Sequence, residues 1–301
     1  RDLHSFPTRR SSDLFGRINK EVYLDDYRYA ALKNLTRARF FAVQNLTREK
    51  QRFMNHLFKK YSTMAQEKVF SDTFSTTALA VYESFESAEA LANMDLHQLT
   101  EFIIEKGKKR FPDPDSVAKA IQKAARSSYR LPKTVNDSVN QVLSISISSM
   151  RAMESQIKAF DKAIAEQMAL IPNTLTSVKG IGPVYSAGII AEIGDINRFP
   201  TQASLAKYAG LVWSQHQSGD FEAQNTRMIH SGNRYLKYYL CEAALSLVRC
   251  DAEYRSFYHR KYKEVNKYQH KRALALTARK LVRLVFRLLK DNCLYRAPES
   301  K

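Results

Sequence analysis

Two stretches of the chain carry residue types and spacings suited to chemistry on an anion. The first is the run from Leu175 to Gly194, LTSVKGIGPVYSAGIIAEIG. Gly180 and Gly182 flank Ile181, the pattern of a turn too tight for side chains. Pro183 then stands at the first position of a helix, where its missing N–H costs nothing. A helix-hairpin-helix is the expected form, with backbone N–H groups at a positive helix end that attract phosphate. The same glycines also fit a helix-turn-helix without a ligand. The second stretch is 211–226, LVWSQHQSGDFEAQNT, which has no helical period and holds the only tryptophan, Trp213. It reads as a loop with room for a short hairpin, and Ser214 and Ser218 offer hydroxyls there. A Ser–Gly pair such as Ser218-Gly219 is equally the mark of an ordinary turn.

Other chemistries find little support. His216 lies two residues before Ser218, but no G-x-S-x-G elbow accompanies it. The seven His are scattered, and none pairs with Glu and a second His at zinc-motif spacing. Asp25 and Asp26 stand at a helix start, and Asp113 and Asp115 in a turn, so no carboxylate cluster of nuclease type is evident. The three cysteines, Cys241, Cys250 and Cys293, form no CxxC and suggest neither disulfide nor zinc. No apolar run approaches the length of a membrane span, and no signal peptide is evident. A cytoplasmic protein is the simplest expectation.

The elements that must position these stretches are helical. The 301 residues are 44% hydrophobic with only 9 Gly and 8 Pro, enough for two domains and too few turns for an all-β chain. Residues 1–14 have no period; His4 to Leu14, HSFPTRRSSDL, resembles the translation of a sequencing-library adapter and is left outside the fold. A long helix is expected from Asp25 to about Met64, with Leu32, Leu35, Val43, Leu46, Phe53 and Leu57 near heptad spacing. Residues 70–130 read as a helical insert, with short helices at 84–93, at 96–108 and from 113 or 115 to 129. A second long helix runs from Thr134 to Ile171. The two long helices are expected to pack antiparallel, coiled-coil-like, with the insert at the tip; pairing between chains is the alternative. Segment 15–172 is thus one helical unit, 173–295 a second, DNA-binding one, and 296–301 a tail. In the second, a helix from 201 to 208 stops at Gly210, and helices follow at 234–249, 252–265 and 270–290.

The net charge of +18 favours a polyanionic partner. Between Arg227 and Lys290 there are sixteen Lys and Arg against four Asp and Glu, interleaved with seven of the 16 tyrosines. Cations among aromatics suit contact with a nucleic-acid backbone and stacking on its bases. Arg279, Arg283, Arg287 and Lys290 fall on one stripe of the last helix. The expected DNA contacts are Lys179, Gly180, Ile181, Gly182, Arg227, Asn233, Arg234, Lys237, Lys271, Arg272, Arg279 and Arg283. For any one cation, a solvated helix face is the competing explanation.

Three strings carry a resemblance: KGIGPVYSAGIIAEIGDINRFPTQASLAKYAGL, QSGDFEAQNTRMIHSGNRYLKYYLCEAA and HKRALALTARKLVRLVF. Together they resemble bacterial insertion-sequence transposases of the one-ten family, in its eleven-eleven-like branch. The resemblance covers nearly everything from Phe15 on and is most specific from Lys179 to Tyr239. It implies an N-terminal RuvC-like domain with a DEDD carboxylate set and Mg²⁺, a helical segment, and a C-terminal domain with a serine nucleophile. The serine before the glycine in the loop after "AGL" is the matching position, Ser218. The resemblance further implies a guide RNA and a homo-oligomer, a dimer or tetramer, acting at the nucleoid. FGRINKEVYLDDYRYAALKNLTR resembles the piece just after the last Asp of the DEDD set, so the four carboxylates have no counterpart here. No Mg²⁺ is expected on these residues, and this chain alone is expected not to complete transposition.

Overall fold

The computed structural model describes residues 26–67, 69–108, 111–214, 217–218, 221–222, 228–229 and 231–296. It is mainly helical, as the composition predicts, and divides into two compact units. One comprises residues 37–163; the other combines the chain up to Thr36 with residues 164–301.

In the 37–163 unit, α1 (Tyr27–Lys60) supplies its later turns and α7 (Lys133–Met168) its earlier ones. Arg39 pairs with Asp161, Lys50 with Glu154 at 3.2 Å, and the Ser146 hydroxyl donates to Glu49. Rising numbers on one helix meet falling numbers on the other, so these two stretches run in opposite senses. Two basic residues of α1, Arg39 and Lys50, thus balance acids on α7. The expected α1 is longer than the observed one: the chain breaks at Tyr61 and resumes as α2 (Ser62–Glu67).

Four helices fill the insert: α3 (Thr76–Ser84), α4 (Ala88–Asn93), α5 (Leu96–Gly107) and α6 (Pro114–Arg126). Side-chain caps set their starts. Ser75, Ser87, Asp95 and Asp113 each accept from backbone N–H groups of the first turn. The helix expected at 84–93 begins only at Ala88, because Phe85 turns to extended backbone and Ser87 caps afresh; α3 before it was not expected. Phe53, Leu57, Tyr61, Tyr82, Leu99, Ile121, Leu143 and Ile147 form the core of this unit.

That core holds a charge. Lys60 is 2% exposed and its Nζ donates to the Tyr82 carbonyl at 2.9 Å. Burial pushes its pKa down to about 8, against a smaller opposing pull from Glu86. The folded state therefore releases a proton that the unfolded chain keeps until about pH 10.5. Stability is penalised at and below pH 8 and recovers as pH rises. We expect a gain of about 2 kcal/mol between pH 8 and 10, seen in denaturant titrations and absent in Lys60→Met. Above pH 10 the sign reverses, because burial holds Tyr61 and Tyr82 protonated where the unfolded chain ionises.

The second unit is built around α8 (Pro183–Ile193), with α9 (Gln202–Tyr208), α10 (Arg234–Cys250), α11 (Ala252–Lys263) and α12 (Gln269–Lys290). The sequence predicts one apolar face on α8; instead every residue from Ser186 to Ile193 is buried. Gly188 explains the close approach. A Cβ there would lie 2.3 Å from the Tyr239 ring of α10. The Tyr239 hydroxyl in turn donates to the Thr36 carbonyl of α1 at 2.7 Å, tying the first turns of α1 to this core.

Candidate nucleic-acid interface

Three surfaces of this second unit bear on function: the glycine turn, the 211–230 excursion and the cationic flank of α11 and α12. Before the glycine turn, the expected first helix is one 3₁₀ turn, Leu175–Ser177. Asn173 holds this limb to α8, its Oδ1 accepting from the Leu175 N–H at 3.0 Å and the Ser186 hydroxyl at 2.8 Å. On the far side, Ser177 Oγ accepts from the Tyr295 N–H at 2.9 Å and Thr174 donates to the Leu288 carbonyl.

The two glycines of the turn differ. Gly180 has φ +107 and packs against Cys250 of α10, so it needs its missing Cβ. Gly182 has φ −76, and nothing lies within 4 Å of where its Cβ would stand. The expectation of tight sterics thus holds at Gly180 and fails at Gly182. Gly182 instead caps α8 without a side chain and leaves that helix end open beside exposed Lys179. Ile181 is 2% exposed and belongs to the core; it offers no side chain to a ligand.

The 211–230 excursion starts and ends at a backbone-to-backbone contact. Gly210 has φ +69 and Gly232 φ +121. A Cβ on Gly232 would lie 2.6 Å from Gly210 Cα and N; one on Gly210 would lie 2.6 Å from the Ser231 carbonyl. The Asn233 N–H donates to the Tyr208 carbonyl at 2.7 Å, closing the base. Above it the strands pair antiparallel: Ile229 N–H to Val212 carbonyl at 3.0 Å, then Trp213 opposite Met228. Further out, β1 (Gln217–Ser218) pairs with β2 (Phe221–Glu222), Ser218 opposite Phe221. The described residues of this stretch therefore pair as an antiparallel hairpin, with Ser218 in its outer pair.

Not every expected contact residue is placed to reach outward. Asn233 is committed to the fold. Its Oδ1 caps α10 through the Tyr235 and Leu236 N–H groups, and its Nδ2 donates to Glu192 at 2.7 Å and Tyr208 at 3.1 Å. Glu192, fully buried, owes its tolerance there to such donors. Arg279 is half-buried and donates to Gln202 at 2.7 Å; burial lowers its pKa. Arg272 bonds Glu264 at 2.9 Å and reaches the Lys261 carbonyl. Arg234 lies over the Tyr235 ring, 4.8 Å from its centroid. Lys237 is half-buried, whereas Lys271 and Arg283 are exposed; Arg227 falls outside the described residues. Arg283 and Arg287 line a groove of about 810 Å³ between α11, α12 and the chain at 293–296.

Sequence reasoning missed a second groove, of about 820 Å³, at the foot of the hairpin. Trp213 and Met228 form one wall; the α11–α12 turn and the start of α12 form the other. Tyr268 stands in that turn with φ 54, left-handed backbone that costs a bulky residue about 1 kcal/mol or more. The residue is 79% exposed, so burial does not offset the strain. The signal in sequence was the Lys267-Tyr268 pair between two helices, which nothing connected to Trp213. Among the described residues, no group of three or more His, Cys, Asp or Glu is placed to hold a metal ion.

Residues 173–259 match the family model described as Transposase IS116/IS110/IS902 family. The matched segment runs from the glycine turn through the hairpin and α10 into α11. An uncharacterized protein of insertion element IS110 from Streptomyces coelicolor is 33% identical over 145 residues, 48% of this chain and 34% of that protein. An uncharacterized protein of insertion element IS116 from Streptomyces clavuligerus is 26% identical over 243 residues, 77% of this chain and 57% of that protein. A probable family 20 transposase from Pseudomonas aeruginosa is 32% identical over 100 residues, 33% of this chain and 28% of that protein. These matches support an insertion-sequence transposase. The chain spans between about a quarter and just over half the length of these relatives. No helix among the described residues is long and apolar enough to cross a membrane.

Proposed function

We propose that the chain supplies the DNA-gripping and serine-bearing half of a transposase that cuts and rejoins DNA strands. The observation that carries this reading is the position of Ser218, at the end of a hairpin whose base is fixed by the Gly210–Gly232 contact. A serine hydroxyl acting as nucleophile attacks a backbone phosphorus. The Oγ–P bond forms, the bond from phosphorus to one sugar oxygen breaks, and that oxygen takes up the proton. The phosphoseryl link keeps the strand activated until the freed sugar hydroxyl, or that of another strand, displaces the serine. The open end of α8 at Gly182, with Lys179, and the exposed cations Lys271 and Arg283 would hold the flanking phosphates.

In this proposal a Mg²⁺-holding DEDD set in a RuvC-like domain, as the resemblance implies, works with the serine. The described residues do not fit a metal site, so no step here is routed through one. A guide RNA that selects the DNA by base pairing, a dimeric or tetrameric assembly that brings the carboxylates of one subunit to the serine of another, and action at the nucleoid complete the proposal.

The test is DNA binding as a function of salt. With six to ten phosphate contacts, affinity should fall by about 10³ or more between 50 and 200 mM salt. A flat response would instead favour a helical scaffold whose charge serves only solubility.

A further inference from the structure

The groove at the foot of the hairpin has features that the strand-transfer reading does not require. It pairs an exposed aromatic ring with an apolar wall and cations, in a volume suited to a small ligand. Tyr268 keeps its ring exposed at the cost of left-handed backbone, and it starts α12 without a side-chain cap. Glycine or asparagine would sit there more easily, and a capping side chain would serve the helix better. Strain of this sort, unrelieved by packing, points to a role for the ring itself. The single acid of the groove is offset: Glu264 accepts from Lys261 at 2.6 Å and from Arg272 at 2.9 Å, and these partners hold its carboxyl below the usual range. Lys267 and Lys271 leave the rim cationic. An occupant should therefore be flat, partly apolar and anionic.

We propose that this groove is a subsite for one unpaired DNA nucleotide, its base stacked on Tyr268 against the Trp213 wall and its phosphate beside Lys267 and Lys271. The proposal rests on the reading that the chain acts on DNA, and it adds where a displaced nucleotide is held while the hairpin addresses the strand. A base lifted out of the helix next to the reacting phosphate is kept from re-pairing, and stacking accepts any base because each presents a π-face.

Trp213 is the only tryptophan of the chain, so its emission reports on this groove without a label. Two DNA duplexes are compared, one fully paired and one with a single extrahelical nucleotide. The expected result is binding of the bulged duplex roughly ten-fold tighter, with quenching of Trp213. Tyr268→Ala and Tyr268→Gly should abolish both the preference and the quenching. They should leave affinity for the paired duplex and Tm unchanged or, for glycine, Tm raised. Tyr268→Phe should behave as the native chain. If the native chain binds the paired duplex and gains nothing from the bulge, or if Tyr268→Ala keeps the gain, the subsite is overturned while the DNA reading stands. Tighter binding of the same bulge in RNA overturns the assignment to DNA. If neither duplex binds, the underlying reading fails as well.

Discussion

Ser218→Ala should eliminate covalent protein–DNA adducts, by on the order of 10³-fold or more, while DNA affinity stays within about two-fold. The two readouts separate because the residue's contribution to structure is main-chain pairing with Phe221, which alanine keeps. The nucleophile oxygen is lost outright, and no other group can form the phosphoseryl bond at that point of the hairpin. The measurement is a denaturing gel of labelled DNA, with the chain joined to an intact RuvC-like domain so that the chemistry is complete. Persistence of adducts in the variant would move the nucleophile to Ser214 or elsewhere and sink the assignment. Adducts formed just as readily by the 301-residue chain alone would sink the proposed need for carboxylates beyond it.

The second large effect is expected at the base of the hairpin. Gly232→Ala should destabilise the C-terminal unit by about 2–4 kcal/mol and depress adduct formation beyond what the lost stability accounts for. Two penalties combine there: left-handed φ of +121, and a Cβ placed 2.6 Å from two backbone atoms of Gly210. Backbone cannot swing aside like the tip of a side chain, so Gly210 and everything attached to it must shift. Gly210→Ala meets the Ser231 carbonyl at the same distance and should cost a similar amount. Because the two positions share one contact, the double variant should cost less than the sum. Ser231→Ala, exposed and beside them, is the control, expected within about 0.5 kcal/mol of the native chain. Equal stability of Gly232→Ala and the native chain in thermal unfolding would refute the contact.

Helices with local signals were legible. Asp113 with Pro114, Thr201 and Asn233 are caps that a reader of the sequence can find, and each stands where its helix starts. Helix α7 was visible over nearly its full length from its three-and-four spacing. What escaped depends on distant partners. The all-round burial of α8 needs Gly188 to receive a ring 51 positions further on, and Glu192 is tolerated through an amide 41 positions away. The helix-hairpin-helix pattern called for a helix before Gly180, but Asn173 and Thr174 tie that limb down as a single turn. Of the candidate site, Ser218 was singled out by resemblance, since its local pattern is only that of a turn. The Trp213–Tyr268 groove was invisible because its two aromatics lie 55 positions apart and come to line one groove only in the folded unit.

The contact between Gly210 and Gly232 also bears on how such a chain can diversify. With its ends held together by the core, the stretch between them can be lengthened at a small entropic cost. Doubling its length would add only about 0.6 kcal/mol in chain entropy. Reach, tip composition and the residue presented there can then drift while the helices beneath stay as they are. The hairpin is in that sense an exchangeable tool on a fixed handle, and its length is the feature to compare first between two such chains.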